Sequence, residues 1–217
     1  MENNQKLKIR KKDRSAIIDS LKMGIVPRVG LQHIQVGRSA EISEMIKDFK
    51  AISEGAAKTR FIIGSFGAGK TFFLTLSKLM AHEYNLVVMN ADLTVDRLLS
   101  GTEGRTRRLF SELVANMSVK TRPGGDALRS IIEGWASGVL ESCGEEHITP
   151  TLLQKFLQPL EKYVNCYDFA TVLSVYINAY EEGNDTDMNR ALRWLRAEYS
   201  TKTEARTELG VRTIIDD

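Results

Sequence analysis

The chain has 217 residues, 42% of them apolar and 27% charged, with a formal net charge of +2. That length supports a sizeable core in one domain or one domain plus an extension, and the composition is that of an ordinary soluble globular protein. No apolar run approaches the roughly twenty residues of a membrane span, and the basic N-terminus lacks the apolar stretch of a secretory signal.

A reduced, cytoplasmic setting is therefore expected, with no membrane partner. Cys143 and Cys166 are not spaced as metal ligands, and His33, His82 and His147 are scattered. The only metal expected is the Mg²⁺ that accompanies a nucleotide.

In chain order, residues 1–12 form a basic tail containing Lys6, Lys8, Arg10, Lys11 and Lys12, followed by Arg14, against Glu2 and Asp13. It reads as a solvated tail or as an arm that contacts nucleic-acid phosphates. A short helix is predicted over residues 13–23, with Asp13 as its cap, Gly24 as its end, and Ile17, Ile18 and Leu21 on one face. An irregular apolar connector spans 24–30. After Val36-Gly37-Arg38 a second helix is predicted over 39–53, where Ile42, Met45, Ile46, Phe49 and Ile52 form a buried stripe. Gly55 stops it.

The next segment carries the chemistry. Gly64-Ser65-Phe66-Gly67-Ala68-Gly69-Lys70-Thr71 fits the phosphate-binding pattern G-x-x-x-x-G-K-[ST] without a mismatch. The glycines let the backbone fold into a nest of N–H groups facing phosphate oxygens. Lys70 supplies a positive charge for the β- and γ-phosphates, and the Thr71 hydroxyl is placed to ligate Mg²⁺. With Phe72, these eight residues are the expected nucleotide-binding set. The competing reading is a glycine-rich turn that binds nothing.

The surroundings favour the functional reading. Residues 60–63 form a short apolar run like a buried strand, and residues 86–89 form another. Between them Phe73, Leu76, Met80 and Tyr84 recur at helical spacing. Strand, loop, helix and strand make a βαβ unit with the phosphates at a helix N-terminus. The expected fold is thus α/β: a P-loop NTPase core, AAA+-like, with an incomplete parallel sheet and a large helical region.

From 97 to 209 the periodicity is helical throughout. Helices are expected at 105–119, 125–143, 149–163, 167–182 and 187–208, the last broken near Ser200. Leu109, Leu113, Ile131, Trp135, Val139, Leu153, Phe156, Leu173, Ile177, Leu192 and Leu195 are the expected helical core. The domain expectation is a tail (1–12), the N-terminal part of an ATPase domain (13–96), a helical subdomain (97–209), and the start of a continuation (210–217). A P-loop ATPase also needs an apolar strand ending in two acids, which hold Mg²⁺ through water and activate the attacking water. The nearest segments are 89–92 and 211–217, the latter ending in Asp216 and Asp217. Neither fits well, so ATP hydrolysis is left open.

Three stretches together resemble a known family. They are Ile17-Ile18-x-x-Leu21-x-x-Gly24-x-Val26-Pro27-x-x-Gly30-Leu31, then Val36-Gly37-Arg38-x-x-Glu41-Ile42, then Phe61-Ile62-x-Gly64-x-Phe66-Gly67-x-Gly69-Lys70-Thr71. The chain is similar here to the BrxD family, ATP-binding proteins of BREX bacteriophage-exclusion systems. The Val-Gly-Arg-x-x-Glu box also resembles that of origin-recognition-like AAA+ ATPases. The resemblance implies ATP as ligand and an adenine pocket drawn from Val26, Pro27, Val36, Gly37 and Arg38. On the residues alone, those apolar side chains serve core packing equally well.

The leading functional expectation is an ATP-dependent switch or motor subunit in phage defence, acting with DNA or a helicase, with a homo-oligomer as a further candidate partner at full length. A P-loop small-molecule kinase is one alternative, with Arg105, Arg107 and Arg108 as lid residues. A non-hydrolysing, nucleotide-responsive interaction module is the other.

Overall fold

Periodic apolar residues build helices along more than half of the chain. The computed structural model describes residues 9–27, 29–144, 148, 150–158 and 166–216. It divides into two compact units, Met1–Val88 and Met89–Asp217. The first holds α1 (Lys11–Lys22), a 3₁₀ turn (Leu31–His33), α2 (Ser39–Ser53) and α3 (Lys70–Glu83). The second holds α4 (Arg105–Ala115), α5 (Leu128–Cys143), α6 (Pro150–Leu157), α7 (Cys166–Glu182), α8 (Asp185–Leu195) and α9 (Lys202–Leu209).

In the first unit α2 packs on α3. The predicted stripe of α2 supplies Phe49, and α3 supplies Phe73, Leu76 and Ala81, all buried. The Phe49 and Tyr84 rings lie 6.3 Å apart in a tilted arrangement, a geometry that favours aromatic pairs. Asp13 is not the cap of α1. Arg10 precedes that helix, and Asp13 sits in its first turn, 2.7 Å from the Arg10 guanidinium.

The second unit packs α7 against α6, α8 and α9. Val172, Ala191 and Ala205 are wholly enclosed at these crossings, where small or β-branched side chains let the helices approach. The expected break near Ser200 falls at residues 196–201. There Thr201 caps α9 by accepting a hydrogen bond from the Glu204 amide at 3.2 Å, the first half of a capping box. Tyr199 is enclosed beside it, its hydroxyl donating to Glu208 at 2.6 Å. Burial pushes that phenol well above its ordinary pKa, and the Glu208 bond adds to the effect, so it remains a donor. The Arg193 guanidinium lies over the same ring at 4.4 Å and pairs with Glu204 and Glu208.

The α/β expectation is corrected here. Among the described residues there is no strand and no sheet; ladder-type pairing is confined to isolated bridge positions, among them the antiparallel bridges Thr94–Arg97 and Val119–Arg122, each closing a tight turn, and the single positions Val88 and Ser118. Residues 57–65 carry no regular secondary structure, and Phe61 and Ile63 are 84% and 93% exposed rather than buried. Residues 86–89 likewise form no strand, with Val87 and Met89 exposed. An apolar, β-rich run is not enough for a strand, which also needs a neighbour to take its N–H and C=O groups. The P-loop, AAA+-like parallel-sheet core is therefore not the architecture of this structure, which is helical. Residues 1–8 of the basic tail and Asp217 lie outside the described residues.

Residues 210–216 fold back onto the second unit. Val211 is fully buried, and the Asp168 carboxylate in the first turn of α7 accepts from the Arg212 amide (3.1 Å), the Thr213 amide (2.8 Å) and the Thr213 hydroxyl (2.6 Å). Trp194 completes the latch by donating its indole N–H to the Thr213 carbonyl at 2.9 Å. Asp168→Ala leaves the Arg212 and Thr213 amides and the Thr213 hydroxyl without their charged acceptor, a loss of about 2–4 kcal/mol. Urea unfolding followed by tryptophan fluorescence measures it, and a change below about 0.5 kcal/mol contradicts the latch.

Candidate functional site

The approach to the glycine-rich loop is anchored by charge. Arg60, in the irregular segment before the loop, donates to the Asp48 carboxylate on α2 at 2.5 Å and lies 4.0 Å from Glu44. That hydrogen bond holds the Asp48 carboxyl below its ordinary range. The chain entering the loop is thereby tied to α2.

The loop then turns sharply into α3. The Ala68 amide donates back to the Ser65 carbonyl at 3.2 Å. Gly67 and Gly69 adopt φ values of 78° and 80°, the left-handed region that a side chain resists. Gly69 is the N-cap residue of α3, and the first helical bond runs from the Phe73 amide to the Gly69 carbonyl at 3.0 Å. No side chain caps this helix end, and its first turn carries no acid. The amides opening α3 and the partial positive charge of the helix dipole thus face outward uncompensated.

Lys70 opens α3, and its ammonium arches back over the loop. It donates to the Gly64 carbonyl at 2.9 Å and to the Ser65 carbonyl at 2.8 Å. Gly64 is exposed but has close neighbours on its Cα: a Cβ there would lie 3.2 Å from that of Ala68 and 3.8 Å from Lys70 Cγ. A cation thus closes a small ring of backbone, the cradle that a polyphosphate needs. Ser65 and Phe66 lie on the exposed outer turn, and Phe66 is fully exposed. Thr71 is exposed in the first turn of α3, its carbonyl accepting from the Thr75 hydroxyl at 2.8 Å. No group of three His, Cys, Asp or Glu side chains gathers as a metal site among the described residues.

Beside the loop lies a mostly apolar cavity of about 250 Å³. It brings together four residues singled out from the sequence: Val36, Arg38, Gly69 and Phe72. Ile34, Gln35, Ile42, Phe73 and Leu76 also line it. Ile42, Phe73 and Leu76 read in sequence as core stripe, and they are the facing edges of α2 and α3. Nothing in one sequence shows that those edges leave a gap. Val26, Pro27 and Gly37 do not line the cavity; Pro27 is enclosed in the core and Gly37 is exposed. The volume is slightly below that of pockets for whole drug-sized ligands, room for a ring system.

Arg38 spans cavity and loop. Its guanidinium donates to the Ala68 carbonyl and lies 5.7 Å from the Phe73 ring centroid. The arrangement offers backbone amides and the Lys70 cation to an anion, with an apolar gap alongside.

The family described as BREX system ATP-binding protein BrxC/D matches residues 9–217. No match was found among the curated proteins or the solved structures. No described helix is long and apolar enough to cross a membrane.

The left-handed turn before α3 has a measurable consequence. Gly69→Ala places a Cβ where φ is 80°, a conformation that costs an L-residue about 1–2 kcal/mol. Chemical unfolding of the chain followed by far-UV circular dichroism checks this loss. Unchanged stability contradicts the turn geometry.

Proposed function

We propose that this chain, which belongs to the BREX system ATP-binding protein BrxC/D family, holds ATP on the loop 64–72 and uses its occupancy as a switch. The family places the chain in phage defence as an ATP-binding protein. The finer reading rests on one observation: the Lys70 ammonium closed over the carbonyls of Gly64 and Ser65 at the open N-terminus of α3. Such a cation is stored where a polyphosphate arrives, and exchanging two carbonyls for phosphate oxygens is favourable because charged partners bond more strongly.

In this reading the amides of Gly67, Gly69, Lys70, Thr71 and Phe72 take the phosphate oxygens. The Thr71 hydroxyl contributes to Mg²⁺, whose remaining ligands are phosphate oxygens and water. The base enters the cavity beside Phe72, where Val36 and Phe73 offer apolar surface. The partner that reads the switch is DNA, a helicase or another defence protein, or a second copy of the chain.

The kinase alternative is disfavoured by how its lid arginines are used. Arg107 donates to the Tyr199 carbonyl at 2.9 Å, Arg108 to the Asp96 carbonyl at 3.0 Å, and Arg105 pairs with Glu103 at 3.3 Å. These bonds stitch the second unit together.

Calorimetric titration with MgATP tests the reading. Lys70→Ala lowers affinity at least tenfold, the loss of about 1.5–3 kcal/mol carried by charge-assisted bonds, while the circular dichroism spectrum is unchanged. Retained affinity refutes the phosphate role. Thr71→Ala weakens binding more with Mg²⁺ present than with chelator; equal losses contradict the metal assignment.

A further inference from the structure

Arg38 is built into the nucleotide site in a way that lining a cavity does not require. It adopts φ 55°, a left-handed backbone that non-glycine residues seldom hold and that clusters at functional sites. From there the guanidinium reaches thirty residues along the chain to the Ala68 carbonyl, while its carbon lies over the Phe73 ring at 5.7 Å. The guanidinium lies against Gly69: a Cβ built there would be in ordinary contact with Arg38 Nη2, at 3.5 Å. Arg38 has no carboxylate partner among the described residues.

The bond to Ala68 has a geometric consequence. In a trans peptide the carbonyl oxygen and the following N–H point in opposite directions, and no cis bond is present among the described residues. Fixing the Ala68 carbonyl toward Arg38 therefore fixes the Gly69 N–H away from Arg38. That N–H donates to nothing among the described residues, and it immediately precedes the free amides that open α3.

We propose that Arg38 is a positioning residue of the nucleotide site: by holding the Ala68 carbonyl outward it aims the Gly69 amide at the incoming phosphates. Its stacking on Phe73 links this aim to the cavity wall, so a base lodged against Phe73 and a phosphate on the loop support the same peptide orientation. The proposal rests on the reading that loop 64–72 binds polyphosphate and adds a residue to it. Its ligand class is any nucleoside triphosphate, and its effect is on phosphate capture rather than on base choice.

The experiment compares wild type, Arg38→Ala and Arg38→Lys by titration with MgATP and with magnesium tripolyphosphate, which has no base. The position of the Gly69 amide resonance is read in ligand-free ¹⁵N-labelled samples. Arg38→Ala is expected to weaken both ligands by about tenfold, the worth of one charge-assisted bond, and to move the free Gly69 resonance. Arg38→Lys restores the charge but not the planar fork that stacks and donates together, so it stays weakened. Tripolyphosphate affinity equal to wild type in Arg38→Ala overturns the proposal, as does full rescue by Arg38→Lys, which assigns the effect to charge alone. Wild type that binds neither ligand instead removes the nucleotide reading beneath it.

Discussion

The contact on which this account depends is a lysine ammonium resting on two backbone carbonyls. Lys70 is the first residue of α3, so its position is set by the helix, while the Gly64 and Ser65 carbonyls are set by a loop with two left-handed glycines. Each half requires the other. Without the glycines the backbone does not fold back beneath the ammonium, and without the helix the ammonium has no fixed root. The uncapped, acid-free N-terminus of α3 adds positive potential at the same point. A charge held only by neutral carbonyls is a reserve for an anion. On the proposed reading that anion is the triphosphate of ATP, in keeping with membership of an ATP-binding family.

Around that contact the first unit works as a frame. Arg60 ties the entering chain to α2 through Asp48, and α2 packs on α3 through Phe49 and Phe73. The loop is thus held at both ends by helices that also bound the apolar cavity. The second unit has a different character, a helical core sealed by buried polar bonds at Asp168 and Tyr199. Those groups are fully partnered, as buried polar atoms must be, and they define how residues 210–216 close onto the helices.

Much of this was legible in the sequence because it is local. The bounds of α2, the start of α3 and the break near Ser200 follow from periodicity and from glycine, whereas of the expected stripe of α2 only Phe49 is buried and Ile46 is exposed. The phosphate-loop pattern is local too, and its turn and helix start are present as the spacing implies. The strands were not legible. Residues 60–63 carry the apolar, β-rich composition of a buried strand, yet Phe61 and Ile63 are exposed, because burial and pairing are properties of neighbours rather than of the segment. The cavity was half legible: Val36, Arg38 and Phe72 came from motif and resemblance. Phe73 and Leu76 were hidden because lining a gap and filling a core call for the same side chains at the same spacing.

A crystal structure of the chain soaked with MgATP or a non-hydrolysable analogue tests the central claim most directly. The account predicts polyphosphate oxygens within hydrogen-bond distance of the Gly69, Lys70 and Thr71 amides, and a Lys70 ammonium that has left Gly64 and Ser65 for the phosphates. Nucleotide bound elsewhere, or bound while Lys70 still rests on both carbonyls, contradicts it.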